Sequence, residues 1–331
     1  MSESKIEWTG STWNPVVGCF PVSSGCQHCY AQRMARRLAC MAEADIKAGR
    51  KPGGKDKYRE VLLQSAPDWR FKAEWNGRTV GDKAEMLQPL RWKKARRIFV
   101  ASMGDLFHDT VPFETLAAVF GVMAICPQHT FQVLTKRPER IQAFFEWVQI
   151  EKRGQMHGEQ GFLTDHLRPK VPDSMFHRGW RQMKLAYHGP DPATSIGDAT
   201  AWPWPLPNAW IGATVENADY VHRIDALRGV AAAVRFLSIE PMLGPMPNLN
   251  LDGIDWVIGG GESGPGARPM HPVAIRGLRD QCAAAGVPFF FKQWGDSIAS
   301  GAVAAGYRVK EKKGGRMLDG VRHDAYPEAR P

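Results

Sequence analysis

The stretch RIFVASMGDLFHDTVPFETLAAVFGVMAICPQHTFQVL, residues 97–134, decides the fold class. Residues 97–101 form a short run of apolar and β-branched side chains that predicts a strand. Residues 113–126 are apolar on almost every side and predict a buried helix, and residues 130–134 predict a second strand. Two strands joined by a crossover helix of this length are typical of a parallel β-sheet.

The same alternation continues on both sides of this stretch. Further strands are predicted at residues 13–17, 210–214, 234–239, 256–258 and 287–291, and further helices at 31–48, 138–148, 218–228 and 272–285. On the first of these helices the spacing predicts an apolar stripe of Met34, Leu38 and Met41 that also carries Asp45. Repeated βα units predict an α/β fold with a parallel sheet, either doubly wound or closed into a full or partial barrel. The pattern alone leaves closure open.

The composition is that of a globular protein. The 331 residues are 44% apolar and 23% charged, which excludes wholesale disorder and is ample for a hydrophobic core. The longest apolar run, residues 116–126, is too short to span a bilayer, and the N-terminal residues contain no apolar signal segment. We therefore expect a cytoplasmic protein without a membrane partner. The formal charge of +9 favours nucleic acid as a partner, although a merely basic surface explains it equally well.

Two long stretches interrupt the alternation. Residues 49–96 and 152–208 are expected to be insertions in a domain of residues 1–295, and residues 296–331 are expected to form a C-terminal hairpin or tail. Among their basic residues, the insertions contain Trp69, Trp75, Trp92, Trp180, Trp202 and Trp204. Aromatic side chains interleaved with Lys and Arg suit base stacking, worth about 1–3 kcal/mol per base. Burial of these tryptophans as anchors is the alternative, and the sequence leaves both open.

The strongest chemical signal is a group of three cysteines, Cys19, Cys26 and Cys29, between the first predicted strand and the first predicted helix. In a reducing cytosol such a group indicates metal binding rather than disulfides. Three thiolates on one loop suit a [4Fe-4S] cluster whose fourth iron is open to another ligand. Zinc is the alternative, with Cys40 or His28 as a fourth ligand. If the helix is continuous, Cys40 lies about 16 Å beyond Cys29, too far to share one ion.

Polar side chains follow the predicted strands at the points where the strands end. They are Ser102, Gly104 and Asp105; Thr135, Lys136 and Arg137; Thr214 and Glu216; Ser238 and Glu240; Glu262 and Ser263; and Lys292 and Gln293. Taken singly, each is explained as well by a helix cap or a solvated loop end. Together they favour one shared site at the carboxyl ends of the strands. Lys136, Arg137, Arg268 and Lys292 are candidates for binding an anionic substrate, with surface ion pairs as the alternative.

Several motifs resemble the radical S-adenosylmethionine (SAM) superfamily, in its phage- and prophage-associated branch related to spore photoproduct lyase. They are TWNP (12–15), GC (18–19), SGCQHCYA (24–31), PLRWK (89–93), FVASMGDLFH (99–108), QVLTKRP (132–138), SIEP (238–241), GGESG (260–264) and FKQWG (291–295). Together they span most of the chain. The departure is the gap of six residues between Cys19 and Cys26, where the superfamily usually has three.

The resemblance implies a partial (βα)6-type TIM-like barrel with the cluster at the carboxyl ends of its strands. SAM would bind the open iron, and its reductive cleavage would release a 5′-deoxyadenosyl radical that abstracts a hydrogen atom from the substrate. We expect His28, Ser102, Gly104, Asp105, Thr214, Glu216, Ser238 and Glu240 to contact the cofactor. By position, Gly104 and Asp105 suit the methionine amino group, and Thr214 and Glu216 suit the ribose. We expect the substrate to contact Lys136, Arg137, Glu262, Arg268, Lys292 and Gln293.

Three functions remain open. The preferred one is a radical SAM enzyme, of isomerase or lyase type, that acts on a nucleic-acid base in DNA repair or in hypermodification of a thymine-derived base of phage DNA. It would work in the cytosol of a bacterium or of a phage-infected host. Because Cys40, Cys126 and Cys282 are dispersed, an external electron donor is expected. The alternatives are a radical SAM enzyme for a peptide or small metabolite, and a non-catalytic, zinc-stabilised nucleic-acid-binding protein.

Overall fold

A parallel sheet and the helices that join its strands form the body of the molecule. The computed structural model describes residues 4, 6–65, 70–155, 205–297 and 315–328. Its strands are β1 (Ser11–Trp13), β2 (Val16–Val17), β3 (Leu62–Ser65), β4 (Arg70–Trp75), β5 (Val80–Gly81), β6 (Arg97–Val100), β7 (Thr130–Thr135), β8 (Ala209–Thr214), β9 (Val234–Ile239), β10 (Trp256–Gly260), β11 (Phe289–Gln293), β12 (Met317–Leu318) and β13 (Val321–Arg322). Its α-helices are α1 (Tyr30–Lys47), α2 (Lys57–Glu60), α3 (Lys83–Met86), α4 (Phe113–Ala124), α5 (Glu139–Gln155), α6 (His222–Arg228) and α7 (Pro272–Ala284).

Within these described ranges, seven strands pair in parallel in the order β1-β6-β7-β8-β9-β10-β11. Successive strands are neighbours in space, so the sheet curves as a half-barrel with the crossover helices outside it. The predicted strands and helices are confirmed with bounds shifted by a few residues, except that α5 continues to Gln155, past its predicted end at residue 148 and into the predicted insertion. The first predicted strand is divided into β1 and β2 at Asn14 and Pro15, because proline cannot donate to a ladder. The Asn14 side chain instead accepts hydrogen bonds from Ser102 and Met103.

The apolar stripe predicted for α1 is wrong at Met34 and Met41, whereas Leu38 packs against the buried cluster. Met34 and Met41 are 42% and 44% exposed, whereas Ala31, Ala35, Ala39 and Ala42 form the buried face. This face packs against the β3–β4 hairpin, in a cluster that also contains Tyr58, Phe71 and Trp75. Large aromatic side chains on the hairpin leave room only for small residues on the helix. The spacing of apolar residues along the helix cannot predict this, because it depends on the element that packs against it.

The insertion at residues 49–96 is, over its described residues, a folded flank of the sheet. It contains the β3–β4 hairpin, and β5 pairs with β2 in front of the cysteines. Trp75 and Trp92 are both 6% exposed, so the base-stacking interpretation is wrong for these two and the anchor interpretation holds. Trp69, Trp180, Trp202 and Trp204 lie outside the described residues, as does most of the stretch 152–208.

Large side chains fill the concave side of the sheet toward the amino ends of its strands. The side chains there are Trp8, Phe99, Trp210, Phe236, Trp256, Ile258 and Phe290. Tyr326 from the C-terminal segment stacks on Trp256 with ring centroids 5.1 Å apart. None of these strand residues is the last one of its strand, so the carboxyl ends of the strands are left for a site.

The C-terminal segment also covers the edge strand β11. The β12–β13 hairpin turns at Asp319 and Gly320, whose φ angles of 53° and 77° match a two-residue turn of type I′. Beyond it, His323 accepts a hydrogen bond from the Phe291 backbone, and Asp324 forms an antiparallel bridge with Phe290. Among the helices of the described ranges, none is long and apolar enough to cross a membrane.

Replacement of Gly212 tests the packing of the concave face. A Cβ at this β8 position would lie 2.5 Å from the ring of Phe236 on β9. We expect Gly212→Ala to lower the free energy of unfolding by about 1–3 kcal/mol through overpacking, measured by urea titration. The control is Gly277→Ala in α7, where no atom lies within 4 Å of the added methyl group. That change should raise the free energy of unfolding by about 0.5–1 kcal/mol. Equal effects at both positions would contradict the packing described.

Candidate functional site

The loop of residues 18–29, here called the cysteine loop, joins β2 to α1 and lies across the carboxyl ends of the parallel strands. The Gly18 backbone donates a 3.1 Å hydrogen bond to Met103, and Gly18 bridges Gly104 just beyond β6. A Cβ at Gly104 would lie 2.7 Å from the Gly18 oxygen. Gly18 itself has φ of 95°, which favours glycine. The backbone at the start of the loop therefore packs directly against the backbone beyond β6, because both residues at this contact are glycines.

The first anchor of the loop is a buried ion pair between Arg137 and Asp105. Arg137 Nη1 donates to Asp105 Oδ2 at 2.9 Å and lies 3.9 Å from Cys19 Sγ, while Nη2 donates to the Phe20 carbonyl at 3.0 Å. The Asp105 carboxylate also accepts hydrogen bonds from Thr135 Oγ1 and from the backbones of Phe107 and Lys136. This carboxylate, expected at the methionine amino group of SAM, is thus engaged in holding the arginine that holds the loop.

The second anchor is Glu216, which follows β8 and is completely buried. Its carboxylate accepts a 2.6 Å hydrogen bond from Ser23 Oγ, pairs with Lys136, and pairs with Arg223 at 3.0 Å. A Cβ at Gly25 would lie 2.5 Å from Glu216 Oε1, so only glycine fits there. Glu216, expected at the SAM ribose, and Lys136, expected at the substrate, are both engaged with the loop.

The third anchor comes from the segment after β10. Arg268 donates to both oxygens of Glu262, at 2.9 and 2.6 Å, and its Nη1 reaches the Ser24 carbonyl at 2.9 Å. His28 Nδ1 lies 3.1 Å from Glu262 Oε2. Burial acts to raise the pKa of Glu262, but the hydrogen bonds from Arg268 and His28 outweigh it and lower the pKa to about 2. Glu262 and Arg268 therefore hold the loop from its far side.

The thiols on the loop differ in acidity. All six cysteines of the chain lie in the described ranges and are free, and those of the loop are partly exposed. Burial raises the pKa of Cys19 to about 12 and also raises that of Cys29, where the Ala31 and Gln32 N–H groups at the start of α1 act in the opposite direction. At Cys26 burial is outweighed by the charge of Lys136 and the Ser23 hydrogen bond, so its pKa is lowered. Cys26 is therefore the most readily ionised of the three.

Cys19, Cys26 and Cys29 are three free thiols on one loop, and thiolates are the ligands that iron–sulfur clusters use. Among the described side chains, no group of three or more His, Cys, Asp or Glu is arranged to hold a single metal ion. The helix that separates Cys40 from the loop is confirmed as continuous from Tyr30 to Lys47. Cys40 thus lies on the outside of α1, beyond reach of the other thiols.

Another group of predicted residues lies at the same edge without touching the loop through a hydrogen bond. Lys292 Nζ donates to Glu240 at 2.5 Å across the ends of β9 and β11, with Gln293 beside it. Tyr30 is 49% exposed as a whole residue, but its hydroxyl lies beside this pair and is desolvated, which raises its pKa; the charges of Cys29 and Glu240 add to the rise. The Tyr30 hydroxyl donates to the Ser102 carbonyl at 2.5 Å. Thr214 and Ser238 are buried at the ends of β8 and β9.

Sequence reasoning missed several residues that organise the site. They are Asn14, Ser23, Tyr220 and Arg223. Ser23 lies in the widened gap between Cys19 and Cys26, and this insertion was a signal that the loop carries additional contacts. Arg223 is on α6, where an arginine in the middle of a helical period ordinarily indicates a solvated face. No sequence signal pointed to it.

The protein family described as "Protein of unknown function (DUF5131)" matches residues 3–327, which include the sheet, the cysteine loop and the C-terminal hairpin. No curated protein and no solved structure matches the chain.

Removal of the Arg137 guanidinium tests the first anchor. Arg137→Met leaves Asp105 buried without its charged partner and releases the Phe20 carbonyl. We expect the backbone amides of residues 18–29 to exchange hydrogen at least about tenfold faster, measured by mass spectrometry. The matched control is Arg279→Met on α7, whose partners Asp280 and Asp319 are remote from the loop. Unchanged exchange in Arg137→Met would mean that this ion pair does not hold the loop.

The lowered pKa of Glu262 makes the third anchor dependent on pH. Its folded-state pKa of about 2 is below the ordinary value of 4.5, so its stabilisation is present above about pH 4.5 and is lost as the pH falls toward 2. We expect Glu262→Gln to lower the free energy of unfolding by on the order of 3 kcal/mol at pH 7, with the deficit shrinking below pH 4.5. Glu146→Gln, at an exposed position of α5, is the control. A deficit of equal size at pH 7 and pH 3 would contradict the assignment.

Proposed function

The chain is a member of the DUF5131 family, and from the cysteine loop we propose that it is a radical SAM enzyme with a [4Fe-4S] cluster on Cys19, Cys26 and Cys29. One observation carries the proposal. Three free thiols stand on a single loop, and buried ion pairs from several neighbouring strands fix that loop at the carboxyl edge of a parallel half-barrel. Sites of parallel barrels form at this edge.

The charges around the cysteine loop are compatible with the binding of a positively charged group. Among the described side chains that anchor the loop, the carboxylates are Asp105, Glu216 and Glu262, and the cations are Lys136, Arg137, Arg223 and Arg268. The four cations exceed the three carboxylates by one charge. Three thiolates on the loop would make the net charge negative. A positively charged iron–sulfur core would restore the balance, so the anchors and the cluster are electrostatically compatible.

When bound, the reduced cluster and SAM supply a carbon-centred radical that removes a hydrogen atom from the substrate. The protein's own contribution is placement. Lys136 holds positive charge beside Cys26 and lowers its pKa, whereas at Cys19 burial and the charge of Asp105 outweigh the opposing charge of Arg137. Because Asp105 and Glu216 are engaged with the loop, and Gly104 is in close contact with Gly18, we assign the polar groups of SAM to Thr214, Ser238 and Glu240.

The finer description of the fold, a partial (βα)6-type TIM-like barrel, belongs to the same proposal. It is supported by the parallel order of the strands, by the helices α4, α5, α6 and α7 that connect them, and by the cysteine loop directly after the first strands. A half-barrel with a packed amino end and a polar carboxyl edge is the arrangement that such an enzyme needs.

For the substrate we propose a base of DNA, thymine-derived, whose side arm is rearranged or cleaved. The formal charge of +9 and the resemblance of the motifs to the phage-associated branch support this choice. Among the described cations of this edge, Lys292 contacts Glu240 rather than the loop, and we assign it to an anionic substrate, with Gln293 next to it. Cys40 is exposed, and Cys126 and Cys282 are buried on other elements, so we assign the electrons to an external donor.

Metal content is the direct test of the proposed cluster. Protein purified without oxygen should contain about four irons and four sulfides per chain. Cys26→Ala should lose most of this iron, because one of the three ligands is gone. Cys40→Ala, on the exposed side of α1, is the matched control and should keep it.

Two results would contradict the proposal. One zinc ion per chain without iron would favour the zinc-stabilised binding protein. Loss of iron to the same extent in Cys40→Ala and Cys26→Ala would mean that the cluster is not held by the loop.

A further inference from the structure

The exposed aromatic side chains are concentrated at the cysteine motif. Among the Phe, Tyr and Trp residues in the described part of the chain, Phe20 and Tyr30 are the ones classed as exposed, at 56% and 49%. Phe20 directly follows Cys19, and Tyr30 directly follows Cys29. The two rings, here called the aromatic rim, therefore flank the proposed cluster in the sequence on both sides.

Phe20 begins an apolar run, Phe20-Pro21-Val22, that is exposed along its whole length. Such a run on a fixed surface costs solubility unless it binds something. The run cannot fold inward, because Arg137 holds the Phe20 carbonyl and Glu216 holds the hydroxyl of Ser23. It occupies the widened gap between Cys19 and Cys26, so the additional residues of this gap place apolar groups beside the thiols.

A cation without a partner lies next to this run. Arg78 is exposed, and no described residue forms a hydrogen bond or ion pair with its guanidinium. A Cβ at the preceding Gly77 would lie 3.9 Å from Phe20 Cδ2, and the Arg78 carbonyl packs against Gly18. Lys136, Arg137 and Arg268, by contrast, are all engaged in anchoring the loop. Among the described residues, Arg78 is thus a positive charge without a partner, and its backbone lies beside the exposed Phe20 ring.

We propose that the aromatic rim is the seat of an unstacked nucleotide, with its base stacked on Phe20, its neighbouring phosphate on Arg78, and the ring of Tyr30 as a second wall. A flat ring beside a guanidinium is the combination that binds single-stranded nucleic acid, since every base has a face to stack and a phosphate next to it. The hydroxyl of Tyr30 is bound to Ser102, which fixes its ring next to Cys29. This inference rests on the proposed function for the class of substrate, and it names the residues that bring a base to the thiols.

Binding of a thymine-containing single-stranded oligonucleotide tests the rim. The anaerobically reconstituted enzyme is titrated into a labelled 12-mer, and fluorescence anisotropy is measured. Phe20→Leu keeps an apolar side chain but removes the ring, and we expect binding to become roughly ten- to a hundredfold weaker. Phe20→Trp should keep the affinity because it keeps a ring. Val273→Ala, at a 66% exposed apolar position on α7, is the control and should bind as the wild type does.

The salt dependence of binding separates stacking from charge. The logarithm of the affinity falls linearly with the logarithm of the salt concentration, with a slope of about 0.7 for each phosphate contacted on a single strand. Arg78→Gln should reduce the slope by about this amount. Phe20→Leu should lower the affinity and leave the slope unchanged. A change of slope in Phe20→Leu would overturn the stacking role.

Three other results would also overturn the inference, and each says something different about the proposed function. Equal binding by wild type and Phe20→Leu would remove the rim and leave a nucleic-acid substrate in place. Absence of binding in a wild-type enzyme that holds its iron and cleaves SAM would remove the nucleic-acid substrate while leaving the radical chemistry. If Phe20→Leu instead slows reduction of the cluster by an acidic flavin-containing electron carrier and leaves oligonucleotide binding intact, the surface docks a protein.

Discussion

The buried ion pair between Asp105 and Arg137 is the contact on which the position of the cysteine loop depends. It joins the end of β6 to the end of β7, and its arginine extends to Cys19 and to the Phe20 carbonyl. A buried charge that loses its partner typically costs about 3–5 kcal/mol, so neither residue is replaceable alone. Glu216 and Glu262 repeat the arrangement after β8 and β10. The loop is consequently held at the carboxyl edge from several strands at once.

These anchors divide the charged residues of the edge into two groups with different roles. Asp105, Lys136, Arg137, Glu216, Glu262 and Arg268 hold the loop and are engaged before any ligand arrives. Glu240 and Lys292 contact each other instead, and Arg78 on the flank has no partner among the described residues. Close contacts at Gly25 and Gly104 allow the loop to approach these carboxylates and the end of β6. We therefore propose that ligands bind to the second group.

The parallel sheet was predictable because strand and helix periods alternate plainly from residue 97 to residue 134, and the cysteine spacing made the loop conspicuous. The roles of individual charged residues could not be predicted, because ion pairs such as Asp105–Arg137 and Glu216–Arg223 depend on which strands become neighbours. The same holds for Trp75 and Trp92, since a tryptophan among lysines and arginines is equally compatible with burial and with stacking. On α1 the large aromatics of β4 selected the alanine face, which no period within the helix encodes.

The central claim is that the cysteine loop carries a cluster that cleaves SAM reductively. The most direct measurement is the formation of 5′-deoxyadenosine when the anaerobically purified protein is mixed with SAM and a strong reductant, followed by liquid chromatography. We predict that it forms in the wild type in proportion to bound iron, and does not form when Cys19 is replaced by alanine. A protein that contains its full complement of iron and yields no 5′-deoxyadenosine, or that yields it equally without Cys19, would contradict the claim.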